Sequence, residues 1–239
     1  MTPLKFSHPP ILAVLLGLLT VLYIGLLLLA PAGWLPGDPV WAIRPATVQE
    51  ILDESLNFFF VLPLLNRLGF SALPAASVHP TLQALFNFAE GWIFMFLPIL
   101  SLDPRGRKLP TLFIWSLAMF LTNVFLLPYM ALRLCQAPEL EPIPKGKLAK
   151  LFGAIGFGVG LLAVGWGIWV DPASGGYADR WAFLGNQVLT NRLTLAFWVD
   201  LVLFYGFQIW LMGAIIPPGE RSRPLRLIPF WGLALWLML

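Results

Sequence analysis

Charge is scarce in this chain. Only 11% of its 239 residues are Asp, Glu, Lys or Arg, less than half of the roughly 25% usual in soluble domains. With 59% hydrophobic residues and a mean hydropathy of +0.80, an ordinary water-soluble domain is excluded. Cysteine is scarcer still: the single Cys135 rules out a disulfide within the chain. Two histidines, His8 and His79, have no cysteine neighbours, which removes the usual zinc spacings, and no metal site is expected. No lysine lies within an apolar run, so a retinal Schiff base has no anchor, and both histidines stand away from helix centres, against a bis-histidine haem. Paired Asp-rich motifs, His-Glu-x-x-His, Gly-x-Gly-Asp and a Walker sequence are all missing. Their absence argues against prenyltransferases, intramembrane proteases and ATP-driven pumps. The net charge of +3 is small, with the Lys and Arg almost wholly in loops, so nucleic-acid binding is not expected.

What the chain has is long apolar runs. An all-α, polytopic transmembrane bundle is expected, one integral membrane domain over residues 1–239. Its spans read as 11–30, 47–67, 80–102, 109–134, 151–170, 193–216 and 225–239, about seven with six as the alternative. The first is the clearest: twenty residues without a charge, which at about 1.5 Å per residue just cross a hydrocarbon core of roughly 30 Å. Its end, Ala30-Pro31-Ala32, is faintly like a signal-peptidase site, but the run is too long for such a peptide and is taken as uncleaved. Residues 31–46 then form a proline-rich interfacial loop with Trp34 and Trp41. Thr47 and Glu50 have capping-box spacing at the start of the second helix. That helix is strongly apolar only from Leu56 to Leu65, and crossing is favoured over lying in the interface. The last stretch, 225–239, is either a short tilted span or a half-inserted helix, and Arg180 to Leu189 reads as a surface segment.

Seven spans place Lys5, Arg67, Arg133, Lys145, Lys147, Lys150, Arg221, Arg223 and Arg226 on the N-terminal side. Arg44, Arg105, Arg107, Lys108, Arg180 and Arg192 fall on the other. The N-terminus is therefore expected to be cytoplasmic or stromal, with loops 135–149 and 217–224 on that same side.

Acids inside apolar runs are the candidates for chemistry, because an ionisable group in hydrocarbon costs about 2.5 to 3.5 kcal/mol on insertion scales. Glu50, Asp53, Glu54 and Asn57 share one face of the second helix; Gln83, Asn87 and Glu90 share one face of the third. The two stripes could face each other across a cavity, or serve as a helix cap and interhelical glue. Asp200 lies near mid-membrane and needs a partner, with Arg192, Arg180, Asn123 and Gln208 as the candidates. Glu90, Asp200, Asp53 and Glu54 are thus the candidate catalytic residues, and Asn57, Gln83, Asn87, Asn123 and Gln208 the candidate ligand contacts. Pro63, Pro98 and Pro128 each follow an aromatic turn and are expected to kink their helices, either opening a pocket for a flat apolar ligand or simply reflecting the tolerance of membrane helices for proline. Gly156, Gly160, Ala163 and Gly167 form a small-residue seam for close packing against a neighbouring helix or a partner chain.

From His79 to Arg133 the sequence reads HPTLQALFNFAEGWIFMFLPILSLDPRGRKLP and then MFLTNVFLLPYMALR. This region, about a quarter of the chain, resembles uncharacterised multi-pass membrane proteins of cyanobacteria and plastids. The resemblance implies a photosynthetic membrane, thylakoid or plasma membrane, and carries no chemistry. Two functions are expected on the residues. One is a non-catalytic bundle that binds a lipid, carotenoid or chlorophyll, or accompanies a larger membrane complex. The other is an acid/base enzyme acting on an isoprenoid or lipid.

Overall fold

The computed structural model describes residues 10–70, 72–139 and 143–239; Lys5 and His8, weighed above, and residues 140–142 of the 135–149 loop lie outside them. Among the described residues there are nine α-helices and no strand. Helix α1 (Ile11–Tyr23) runs on as a π-helical stretch, Ile24–Leu29. It is followed by α2 (Pro45–Leu56), α3 (Val61–Arg67), α4 (Pro80–Leu102), α5 (Thr111–Leu134), α6 (Lys147–Trp169), α7 (Tyr177–Thr190), α8 (Arg192–Ile215) and α9 (Trp231–Met238). Five of these, the extended α1 with α4, α5, α6 and α8, are long and apolar enough to cross a membrane.

Length and apolarity do not say where a helix ends, and the contacts do. Arg192, at the start of α8, donates to the carbonyl of Ala30 just past α1, and Arg180 of α7 donates to Gly167 and Val170 at the end of α6. His79, before α4, stacks on Phe183 of α7. These termini share one end of the bundle, here the cavity end. At the opposite, basic end, Lys145 and Lys150 before and within α6 reach the carbonyls of Trp236 and Leu239, and Arg133 of α5 pairs with Asp103 just past α4. Helices α1, α4, α6 and α8 therefore run through the bundle in alternating directions. Helix α4 is the axis, with most of its residues buried, while α1 shows Leu12, Leu15, Leu18 and Val21 outward, an apolar surface suited to lipid.

Helix α5 does not run through. A straight helix would hold Thr111 and Tyr129 about 27 Å apart. Yet Thr111 Oγ1 donates to the Gly106 carbonyl at 3.3 Å, and Gly106 lies so close to the Tyr129 hydroxyl that no Cβ would fit there. The helix turns back on itself where Leu121 (φ −132°, ψ 31°) and Thr122 (φ 33°, ψ −110°) leave helical geometry. Both of its ends lie at the basic end. The span expected over 47–67 is also broken, by Asn57 to Phe60, where Phe59 and Phe60 adopt φ of 51° and 58°. Phe59 meets Phe94 edge-on, deep along α4, and α3 then returns Arg67 to the face of Trp166 near the end of α6. The C-terminal stretch dips in the same way from the basic end. Phe230 (φ 58°) packs against Gly91 and Gly160, and α9, about 12 Å long, carries the chain back out.

The expected second and seventh spans are therefore paired half-insertions, and the expected fourth is a helical hairpin. All three reversals place a non-glycine residue in the left-handed region, where strain costs about 1–3 kcal/mol and persists only under heavy packing. Phe60, Thr122 and Phe230 are all buried. The reversals do not fall at the prolines expected to kink the helices. Pro63 sits in the first turn of α3, where its missing N–H costs nothing, and Pro98 and Pro128 lie within α4 and α5 away from the reversals. The Thr47 capping box does not form either. The helix starts two residues earlier, at Pro45, Thr47 donates to Asp38, and Glu50 accepts from Asn191.

The hairpins also redistribute charge. Arg105, Arg107, Lys108, Arg133, Lys145, Lys147, Lys150, Arg221, Arg223 and Arg226 gather at the basic end, leaving Arg44, Arg67, Arg180 and Arg192 at the cavity end. Among the described residues that is ten against four, a sharper asymmetry than the seven-span reading. Loops 143–149 and 217–224 share the basic end, where Glu220 lies close enough to Lys145 to act on its charge.

The glycine seam of α6 is filled by the chain's own residues. A Cβ at Gly156 would collide with Met95, one at Gly160 with Phe230 and Trp231, and one at Gly167 would press on Ala84. Ala163 is buried with Phe60 and Trp166.

Candidate functional site

A cavity of about 860 Å³ opens among α1, α2, the tip of the α5 hairpin, α4 and the start of α8. Its wall holds Asp38, Glu50, Glu54, Glu90 and Asp200, with Arg44 and Arg192 as its cations. The rest is mostly apolar: Leu27, Leu28, Ile43, Ile51, Phe58, Phe86, Met119, Phe120 and Phe197. The two polar stripes do face each other, but through a tie as well as a cavity. Asn87 Nδ2 donates to the Asn57 carbonyl at 3.2 Å, closing the deep end, while Glu50 and Glu54 line the space shared with Glu90.

Asp200 is completed by three donors: Tyr23 Oη at 2.7 Å, Thr122 Oγ1 at 2.6 Å and Asn123 Nδ2 at 2.6 Å. This one carboxylate draws together α1, the hairpin tip and α8, and the bond to Thr122 holds the strained residue in place. Asn123 was among the expected partners; Arg180, Arg192 and Gln208 go elsewhere. Arg192 donates to the carbonyls of Ala30, Leu35 and Pro36, and Arg180 to four carbonyls around the end of α6. Tyr23 was missed. A lone phenol in the most apolar run was the available signal, because a tyrosine hydroxyl in hydrocarbon needs a partner as a carboxylate does.

Glu54 and Glu90 are different. They are 4% and 6% exposed, and their Oε2 oxygens have no hydrogen-bond partner among the described residues. At the rim, Arg44 donates to Asp38 at 2.6 Å and holds that carboxyl below its ordinary range. Asp53 lies off the cavity, half-exposed and bonded to Gln49. Gln83 accepts from Trp166 Nε1, and Gln208 accepts from Trp92 and donates to the carbonyls of Arg226 and Ile228. These amides, like Asn57, Asn87 and Asn123, tie elements together and stand outside the cavity wall. No group of three His, Cys, Asp or Glu close enough for a metal ion occurs among the described residues.

Against known proteins, the chain matches no family model, no curated protein and no solved structure. The cavity has to be read from its own chemistry.

Proposed function

We propose that this is an integral membrane protein that binds a lipid- or pigment-sized molecule without transforming it, in the cavity between α1, α2, α4, α5 and α8. The observation that carries the reading is the cavity itself. At about 860 Å³ it falls within the roughly 300–1,000 Å³ of small-molecule sites, and a mostly apolar wall with a few polar groups is the usual make-up of such sites. By the positive-inside rule the basic end faces the cytoplasm or stroma, and the cavity faces the opposite compartment. Carotenoids, chlorophylls and their lipids, the compounds expected from the sequence, are the first to look for, alone or within a larger membrane complex.

The test is extraction with surrounding lipid into polymer discs, followed by mass spectrometry and absorbance of the retained molecules. Ala196 lines the cavity, so Ala196→Trp should fill it and remove a compound that the native protein retains in stoichiometric amount. An unchanged extract from that variant would refute binding at this place.

One observation favours a second reading, acid/base chemistry on an isoprenoid or lipid. Glu90, with an oxygen lacking a partner, shares the cavity with Asp200, whose oxygens are all engaged, and two carboxylates in such unlike settings can divide donor and acceptor roles. Under this reading Glu90→Gln folds normally but turns over no substrate, whereas a binding protein carrying it still retains a neutral compound.

A further inference from the structure

The cavity presents buried acceptors with nothing to accept from. Glu54 and Glu90 are more than nine-tenths buried, both line the cavity, and each leaves an oxygen without a partner. The wall's cations are engaged elsewhere: Arg44 with Asp38 at 2.6 Å, Arg192 with three backbone carbonyls. Asp200 already accepts from Tyr23, Thr122 and Asn123. A neutral lipid tail placed here would leave two buried acids unpaired, which is costly whether they stay ionised or take up protons, and only a cation gives the ionised pair a partner. A metal ion would need a closer set of ligands, and a bare cation would leave most of the space empty. A molecule that fills the space and pairs with the acids carries positive charge on an apolar body. Aromatic rings are suited to such a cation by the negative face of the π-system, and Phe58, Phe86 and Phe197 stand in the wall.

We propose that the cavity selects a lipophilic organic cation, its charge held by Glu54 and Glu90 and its apolar body seated against Phe58, Phe86 and Phe197. This rests on the reading of the cavity as a small-molecule site and names the class of molecule it takes.

The probe pair is tetraphenylphosphonium and tetraphenylborate, ions of nearly the same size and shape with opposite charge. Binding of radiolabelled tetraphenylphosphonium is measured on the full chain in nanodiscs of phosphatidylcholine, which carries no net charge. The expected result is saturable binding at one site, with no saturable binding of radiolabelled tetraphenylborate measured in a separate sample. Tetraphenylphosphonium binding should weaken tenfold or more in Glu54→Gln/Glu90→Gln and stay unchanged in Asp53→Asn, an acid on the same helix outside the cavity. Elution volume and melting temperature establish that the variants fold. The separate borate measurement on the native protein needs no variant, so a misfolded double variant leaves the test intact. Saturable tetraphenylborate binding of comparable affinity, or native-like tetraphenylphosphonium binding in a folded double variant, overturns the proposal. If neither ion binds while the native protein still retains a neutral compound that Ala196→Trp loses, cation selectivity fails and the binding reading stands. If nothing binds and nothing is retained, both fail.

Discussion

Two buried carboxylates associated with α4 have opposite fates. Asp103, just past the helix at the basic end, is 0% exposed and is saturated. Arg133 reaches it twice, at 2.6 and 2.7 Å, and Tyr129 and the Arg105 amide complete it. Glu90, thirteen residues earlier in the chain, faces the cavity with an oxygen that nothing satisfies. The first acid closes the α5 hairpin and serves structure. The second is kept buried without a structural return that the contacts reveal, as expected of a group reserved for a ligand or a proton. Burial alone therefore does not tell the acids of this bundle apart; the set of partners does.

The largest effect should come from asking whether the cavity end and the end that holds Asp103 face opposite sides of the membrane. A cysteine at Lys108 and the native Cys135 should label from the same side of a sealed membrane. One at Leu73, in a Cys135→Ser background, should label only from the other side. The seven-span arrangement instead places residues 108 and 135 on opposite sides, and that labelling pattern would dissolve the α5 hairpin.

The next effect is energetic. Arg133→Met leaves Asp103 buried without its charge partner and should cost about 3 to 5 kcal/mol, whereas replacing both, as Asp103→Leu/Arg133→Met, should recover most of the loss. Thermal or denaturant unfolding in detergent measures both. Equal loss in the single and double variants would mean that the pair is more than a mutual satisfaction of charges.

A third contrast lies within one helix. Gly160→Leu should destabilise by about 1 to 3 kcal/mol through overpacking, because Phe230 and Trp231 occupy the space its side chain would need. Gly158, with nothing within 4 Å of an added Cβ, should accept alanine and gain up to about 1 kcal/mol of helix propensity. Similar melting temperatures for the two variants would put the seam in doubt.

The smallest effect is expected at Glu90. Glu90→Gln keeps the shape of a buried acid that has no partner and should leave the melting temperature unchanged or slightly raised, in contrast to Arg133→Met. A loss above about 1 kcal/mol, the scale of a typical hydrogen bond, would show that Glu90 has a structural partner after all and would remove the contrast with Asp103.

The stripe logic brought Glu50, Glu54 and Glu90 to one cavity, whereas none of the expected ligand contacts Asn57, Gln83, Asn87, Asn123 and Gln208 lines it. Helical spacing placed Glu50, Glu54 and Asn57 on one face and Asn87 and Glu90 on another, and those faces meet. The same spacing also offered Asp53, which the turn of α2 carries off the cavity, because a stripe one residue wide cannot resolve neighbours at i+3 and i+4. The small-residue stripe of α6 predicted close packing, and the partner turned out to be Met95 and the Phe230 turn of the same chain. Tyr23 and the Asp38–Arg44 pair at the rim were missed. They come from the first helix and the loop after it, far in sequence from Glu90 and Asp200.

By itself, the sequence determined the solvent in which this protein lives, its helical content and the residues too polar to face hydrocarbon. Those properties follow from the transfer free energies of single side chains and the hydrogen-bonding demand of each residue's own backbone, which local pattern records. Only the tertiary structure decided which apolar stretches cross and which turn back. Hydropathy measures how much a segment gains by entering the membrane and says nothing of its direction inside. The reversals at Phe60, Thr122 and Phe230 are strained conformations without a glycine to mark them, held by packing and hydrogen bonds from residues as distant as Trp166, Asp200 and Phe88.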